Sequence, residues 1–353
     1  MNIKHFCHSG KSFFIILVSL FVVGCNLSDE NDIFNKYNPG AYTMIEVPVP
    51  YGGITFPIGY NDDDIATIDD AYYIGETQIT FGLWQAVAYW ATFEKKGERY
   101  DQICWKDGDH PYLTNKQQDY PICGVTYLIV LVWCNAYTEW YNEKYKTNYT
   151  PVYVDGTGKP IRTAKVPLPP SEYDILDLTA YISYYPMMKE YFNNVKTSGT
   201  GFRLPTPDEW ELAARWRGTD NTNTVTETIN GIDFSSQTIK FTKGNSVSGA
   251  RDSISNLNES HLYAVFEYNS KGNLFLPKTK MPNALNIYDM SGNLREFVYH
   301  VEYINLRGDN YPFAQTRGGY FEDIYNSIAI GGSVYVDVAA FNYYYGFRVA
   351  RNK

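Results

Sequence analysis

Hydrophobic positions in this chain fall into a few periodic stretches separated by long polar ones. Residues 70–79 alternate polar and apolar with the period of a strand; past Thr80 the period changes, and Leu83, Trp84, Val87 and Ala91 recur at helical spacing. A strand running into an amphipathic helix is expected there. Thr126 can cap a second helix over 127–145, with Val130, Trp133, Ala136, Tyr137 and Trp140 on or near one face. The clearest start signal is Thr206-Pro207-Asp208-Glu209, a capping box with proline at the first helical position, followed by Trp210, Ala213 and Ala214 and expected to stop at Gly218. Strand alternation returns at Ser333-Val334-Tyr335-Val336-Asp337-Val338. The stretches 156–199 and 219–282 have no sustained period and no internal repeat, and read as surface excursions or binding loops. Gly156-Thr157-Gly158-Lys159 lacks the strand-to-helix setting of a phosphate loop and reads as a turn.

The first residues follow a different pattern. Lys4 and Lys11 precede an apolar run over 13–23 that ends in Gly24-Cys25, which is shorter than the roughly 18 apolar residues a spanning helix needs and has the layout of a signal peptide. The Gly24-Cys25 junction resembles a bacterial lipobox; the alternative is an ordinary signal peptide with a chance cysteine. The expectation is a signal over 1–24, lipidation at Cys25, a polar tether over 25–42 containing Asn38-Pro39-Gly40, and one domain over 43–353. Such a chain sits in the bacterial cell envelope, anchored to the membrane by its N-terminal lipid, and is expected on the outer-membrane surface.

Charge narrows the partners. With 30 Lys plus Arg against 39 Asp plus Glu, the 353-residue chain carries a net charge of −9, which argues against nucleic acid as a ligand. The aromatic share of 17%, with 33 Tyr, points instead to a binder, because Tyr offers an apolar face and a hydroxyl at small entropic cost. Setting aside Cys7 and Cys25, the domain keeps Cys104, Cys123 and Cys134, an odd number that allows at most one internal disulfide of unassigned pairing; Cys134 reads as a buried, inert thiol. His110, His261 and His300 lie at no metal-ligand spacing, and Asp62-Asp63-Asp64 reads as a solvated loop. Nothing in the sequence sets an oligomeric state.

Several collinear motifs resemble one family. They are Ile74-Gly75-Glu76-Thr77-Gln78-Ile79-Thr80, the Tyr120-Pro121 lead into the second helix, Gly201-Phe202-Arg203-Leu204-Pro205-Thr206 with Glu209-Trp210-Glu211 and Ala213-Ala214-Arg215, Tyr288-Asp289-Met290-Ser291-Gly292-Asn293, Arg317-Gly318-Gly319, and Gly346-Phe347-Arg348-Val349-Ala350-Arg351. The chain thereby resembles the formylglycine-generating enzyme and sulfatase-modifying factor superfamily. The resemblance implies an α+β, C-type-lectin-like fold of short twisted strands, a few helices and long loops, whose last strands bring the chain end back toward its start.

The family's chemistry carries over only in part. The resembling enzymes hold copper with two cysteines shortly after Arg-Gly-Gly, since soft thiolates suit Cu(I); here Tyr320, Phe321, Glu322 and Asp323 follow, and no cysteine lies beyond Cys134. The related iron-dependent enzymes need a histidine cluster that three scattered histidines do not supply. No catalytic residue and no catalytic cofactor are therefore expected. The resemblance also implies a structural calcium site at Asn293 and Glu296, within Gly292-Asn293-Leu294-Arg295-Glu296-Phe297, although Arg295 stands where the family has Trp. The competing reading is a turn, with Asn293 left-handed and Glu296 solvated.

The segment that lacks the cysteines, 320–345, has an unusual vocabulary. Apart from Glu322 it uses only Tyr, Phe, Asp, Ile, Asn, Ser, Ala, Gly and Val. Each can be reached from an Asn codon by replacing its adenines and keeping the third base. This resembles the variable region of a diversity-generating retroelement, in which adenine-directed mutagenic reverse transcription rewrites the 3′ end of a gene for a C-type-lectin-fold protein. The competing reading is a Tyr-rich final sheet whose alternation marks core and surface. Under the first reading the outward, ligand-binding set is Tyr320, Asp323, Tyr325, Ser327, Ser333, Tyr335, Asp337, Asn342, Tyr343 and Tyr344, with Val334, Val336 and Val338 inward. The ligand would be a protein or a glycan, and the 221–269 insert is placed to wall or cover the site. The remaining alternatives are a formylglycine-generating or related oxidase and a structural envelope lipoprotein with no variable site.

Overall fold

The computed structural model describes residues 40–101, 113, 117–164, 187–306 and 308–353. The expected signal peptide, the expected lipidation site Cys25, most of the expected tether, Cys104 and His110 lie outside the described residues. Chain start and end share one three-stranded antiparallel sheet: β1 (Met44–Val47) and the last strand, β15 (Ala350–Asn352), flank β4 (Tyr72–Gly75), with Met44 opposite Gly75 and Ala350 opposite Ile74. This is the closure that the family resemblance implies. A hairpin of β2 (Ile54–Ile58) and β3 (Asp64–Ile68) lies between β1 and β4 in sequence.

Helices begin at the three threonines. Helix α1 (Phe81–Tyr89), continued by a π-helical turn over Trp90–Glu94, is capped by Thr80, whose hydroxyl accepts from the Leu83 N–H. Helix α2 (Tyr127–Tyr145) starts in the same way on Thr126, has the bounds expected from its pattern, and ends on left-handed Lys146. Helix α3 (Pro207–Arg215) closes a reciprocal box: Thr206 Oγ1 accepts from Glu209 N–H at 3.2 Å, and Glu209 Oε2 accepts from Thr206 N–H at 2.8 Å. It stops three residues before Gly218, because Trp216 turns extended and Trp216–Gly218 become a strand, β7. The strand expected over 70–79 is likewise shorter, since past Gly75 the chain bonds in turn to Thr43, Tyr288, Phe347 and Ile122, which form no common ladder.

The second sheet has four strands in the order β13-β12-β11-β14. Strands β11 (Arg295–Leu306) and β12 (Asp309–Arg317) form a long antiparallel hairpin, β13 (Ser333–Asp337) is an antiparallel edge, and β14 (Tyr345–Gly346) pairs in parallel with β11 at the opposite edge. Short pairs complete the fold: β5 (Tyr153–Val154) with β6 (Lys196–Thr197), β8 (Thr228–Ile229) with β9 (Ile232–Asp233), and β7 with β10 (Lys240–Phe241).

The largest core lies among α1, α2 and this sheet. Trp84 and Trp133 stack at 5.3 Å, and Phe347 meets both edge-on at 5.8 and 5.4 Å. A second core surrounds Trp210, Phe56 and Tyr72. Much of the tyrosine therefore serves packing: Tyr72, Tyr100, Tyr127, Tyr137 and Tyr153 are buried. The 219–282 stretch also departs from expectation. Its Val247, Ala250, Ile254 and Phe266 form a third core with Ile328 and Ala329, and it carries helices α4 (Leu257–Tyr263) and α5 (Glu267–Ser270). Widely spaced apolar residues in a long insert show no period, yet they can still converge in space.

Candidate functional site

The family motifs meet under the sheet as a buried charge network. Arg348 is fully buried, and its Nε and one terminal nitrogen each bond a Glu296 oxygen at 2.7 Å. The same carboxylate, 1% exposed, accepts from Trp210 Nε1 at 2.8 Å and from Gln78 Nε2 at 3.0 Å. Burial works against the Arg348 charge, but Glu296 outweighs it and raises the guanidinium pKa. A parallel network joins Arg317 to Glu211 at 2.8 Å, Glu211 to Arg215 at 2.7 Å, and Arg215 to Asp62. Asp62, expected to be solvated, is thus a partner of a buried arginine. Burial raises the Asp289 carboxyl pKa to about 6, against the lowering effect of its bond from the Lys278 N–H.

These contacts bear on the calcium reading. Asn293 is left-handed at φ +61°, as the turn reading expects, and it is buried, with Oδ1 accepting from Phe275 N–H at 3.0 Å. Glu296 is not solvated, and both its oxygens face donors, one of them a guanidinium. The residues do not fit a Ca²⁺ ion, because its place opposite the carboxylate is held by Arg348. They do not fit copper either. Of the described thiols, Cys134 lies buried within α2 and is pushed up by burial, and burial pushes Cys123 up to about 12, whereas Cu(I) needs paired thiolates. Among the described residues no group of three or more His, Cys, Asp or Glu is placed to hold a metal ion.

Above the charge network, Gly318 and Gly319 reverse the chain with φ of +86° and +70°. A Cβ on Gly319 would lie 2.5 Å from the Ser327 carbonyl, so only glycine lets the segment fold back on itself here. Asp323 closes the first turn, accepting from the Tyr320 N–H at 2.9 Å and from Arg295 at 2.7 and 3.1 Å. It was expected to point outward; instead it is more than half buried in this ion pair. Arg295 also lies over the Tyr320 ring at 5.4 Å. At the far end of the segment Tyr344 packs 4.7 Å from Tyr320 and 5.3 Å from Tyr343, and Tyr343 packs 5.9 Å from Phe321 and donates to Glu322 Oε2 at 2.7 Å. Arg295 N–H donates to the Tyr344 carbonyl, fixing this end to β11.

This aromatic cluster borders a cavity of about 660 Å³. Phe321, Glu322 and Tyr343 line it from the segment, Phe275, Leu276 and Thr279 from the loop after α5, and Tyr120 and Cys123 from the chain ahead of α2. Residues 221–269, expected to wall the site, do not line this cavity. They buttress the segment from behind, through Glu267 N–H to the Asp323 carbonyl and the packing of Tyr325 against the third core.

The remaining candidates are placed elsewhere. Ser327 is exposed and Tyr325 partly buried on a short 3-10 turn over Tyr325–Ile328. Ser333 and Tyr335 are exposed on edge strand β13, where Tyr335 meets the His300 ring at 6.0 Å. Asp337 turns back to accept from Ala339 N–H at 2.8 Å, and Asn342 Oδ1 accepts from Tyr343 N–H at 2.8 Å. Val336 and Val338 are buried, but Val334 is 42% exposed. Strand β13 pairs on one side only, and near Ser333 neither of its faces is covered, so alternation does not sort inside from outside there. Sequence reasoning missed the exposed Ile324 and Phe341, the wall at Phe275 and Leu276, and the role of Arg295. Arg295 had a signal: a cation replacing an aromatic beside an acid-bearing segment.

Known proteins place this architecture. The chain superposes on Treponema denticola variable protein 1 with a TM-score of 0.55 and 22% identity, covering 88% of this chain and 95% of that one. It superposes on CarF with a TM-score of 0.55 and 19% identity, covering 89% and 99%. At these identities the likeness is one of fold. No curated protein matches the sequence. The profile described as Sulfatase-modifying factor enzyme 1-like domain matches residues 46–353, nearly the whole of the described structure, and the chain belongs to that family.

Proposed function

We propose that this chain is a lipid-anchored envelope protein, displayed on the outer-membrane surface, that uses a non-catalytic scaffold of this family to present a diversified, aromatic-rich site to a protein or glycan ligand. The observation that carries the reading is the convergence of both ends of 320–345 at one cavity, lined by Phe321, Glu322 and Tyr343, with Tyr320 and Tyr344 packed against these rings. The restricted vocabulary of that segment and the family motifs on either side of it support the same reading. Aromatic anchors on a rigid frame, with Ser, Asn and Asp around them, are what a changeable binding site needs. The fold shared with Treponema denticola variable protein 1 is consistent with this use of the scaffold.

The test is to sequence the 3′ end of the gene, and any near-copy nearby in the genome, in many clones of the source strain. Differences confined to the codons of 320–345, at positions where the near-copy has adenine, are expected. A segment as constant as the capping box at Thr206 would reject diversification. The oxidase alternative predicts Cu(I) uptake and oxidation of a cysteine-bearing peptide, and neither is expected.

A further inference from the structure

The cavity beside the aromatic cluster has a definite electrostatic character. Among its described lining residues only Glu322 carries an ionised side chain, and the other described ones are aromatic, aliphatic or neutral polar. Tyr343 donates to Glu322 Oε2, while Oε1 faces the Gly272 backbone, 3.5 Å from where a Cβ on that glycine would stand. Glu322 is exposed, so its carboxylate is open to a ligand. Arg295, which packs beside the same segment, is forked onto Asp323 at 2.7 and 2.9 Å.

Glu322 is also the one residue of 320–345 outside the nine-residue vocabulary. The cavity wall outside the segment, with Tyr120, Phe275 and Leu276, is likewise set by the scaffold. The site is therefore divided: an acid and an apolar aromatic wall that diversification leaves in place, and an aromatic rim of Phe321 and Tyr343 drawn from the changeable set, with Tyr320 and Tyr344 packed against it.

We infer that this cavity takes a basic side chain, Lys or Arg, from a protein partner, with Glu322 as its fixed counter-charge and the rim deciding which partner is held. The inference rests on the diversified-site reading above and adds a ligand class to it. A guanidinium or ammonium has an apolar stem for Phe275 and Leu276, a charge for Glu322, and favourable contact with the faces of Tyr120, Phe321 and Tyr343. A neutral glycan would use the aromatic faces and leave the carboxylate without a counter-charge. The acidic balance of the whole chain, −9, favours the approach of a basic partner surface.

The experiment selects a random peptide-display library on the whole mature chain, then measures the recovered peptides on the parent, on Glu322→Gln and on Tyr344→Ala. Thermal unfolding checks that both variants are folded. The expected result is Lys or Arg at one shared position, at least tenfold weaker binding to Glu322→Gln, and the same loss when that residue is replaced by neutral citrulline or norleucine. If recovered peptides lack a shared basic residue, or bind Glu322→Gln as well as the parent while still weakening on Tyr344→Ala, the basic-side-chain inference is overturned and the diversified-site reading stands. Peptides indifferent to both substitutions would reject the two together. Recovery of no peptide, with neutral glycans bound instead on an array, overturns the inference in favour of a sugar ligand.

Discussion

Two regions stacked on the same sheet are built on opposite principles. Below, Arg348, Glu296, Arg317 and Glu211 are buried charges whose partners are all within the protein. Above, 320–345 is anchored by glycine turns, strands β13 and β14 and a few buried residues such as Ile328 and Val338, while its outer positions make one ion pair and ring contacts that many residues could replace. A buried ion pair tolerates no change of either partner, since the survivor keeps its desolvation cost. A ring contact at a cavity mouth can be lost with little effect on folding. Under the proposed function, the comparison explains how the outer positions of 320–345 could change while the neighbouring frame is held fixed.

The largest effect should come from breaking the lower region. Glu296→Ala leaves Arg348 buried without its counter-ion and should cost about 3–5 kcal/mol, measured by urea unfolding; a loss below 1 kcal/mol would mean that the network is not the frame. A smaller effect has a pH signature. The Asp289 carboxyl is raised in the folded state to about 6, so its contribution is fully present below the ordinary Asp value and is lost as pH rises through about 6. Asp289→Asn should flatten that fall and raise stability at pH 7 by something on the order of 2 kcal/mol, seen as melting temperatures compared at pH 4 and pH 7. At the boundary between the regions, Arg295→Ala frees Asp323 and Tyr320 and should cost about 1–2 kcal/mol, between an exposed and a buried pair, with faster hydrogen exchange at the Tyr320 amide as its local mark. The smallest effect belongs to the upper region itself: Val334→Asn or Ser333→Asp should stay within about 0.5 kcal/mol of the parent.

Legibility in the sequence follows the same division. The three helix starts could be read because a threonine side chain and a following periodic face are local signals, and α2 has its expected bounds. The return of β15 to β4 was implied by the family resemblance. The partners of Glu296 were not legible, because Gln78, Trp210 and Arg348 come from three separate motifs that only the fold brings together. Within 320–345 the alternation failed at Val334 because neither face of the edge strand is covered there, and Asp323 was misplaced because its partner Arg295 lies 28 residues earlier in sequence. The cavity wall at Phe275 and Leu276 had no periodicity to announce it.

The central claim, that the face can change without the frame, is tested most directly by a display library. It would randomise Tyr320, Tyr325, Ser327, Ser333, Val334, Tyr335, Tyr343 and Tyr344 among the nine residue types and score the folded fraction by protease resistance, beside a library of equal size at Gln78, Trp210, Glu296 and Arg348. The account predicts that most members of the first library stay folded and almost none of the second do. Equal losses in the two would contradict it, since 320–345 would then be part of the frame.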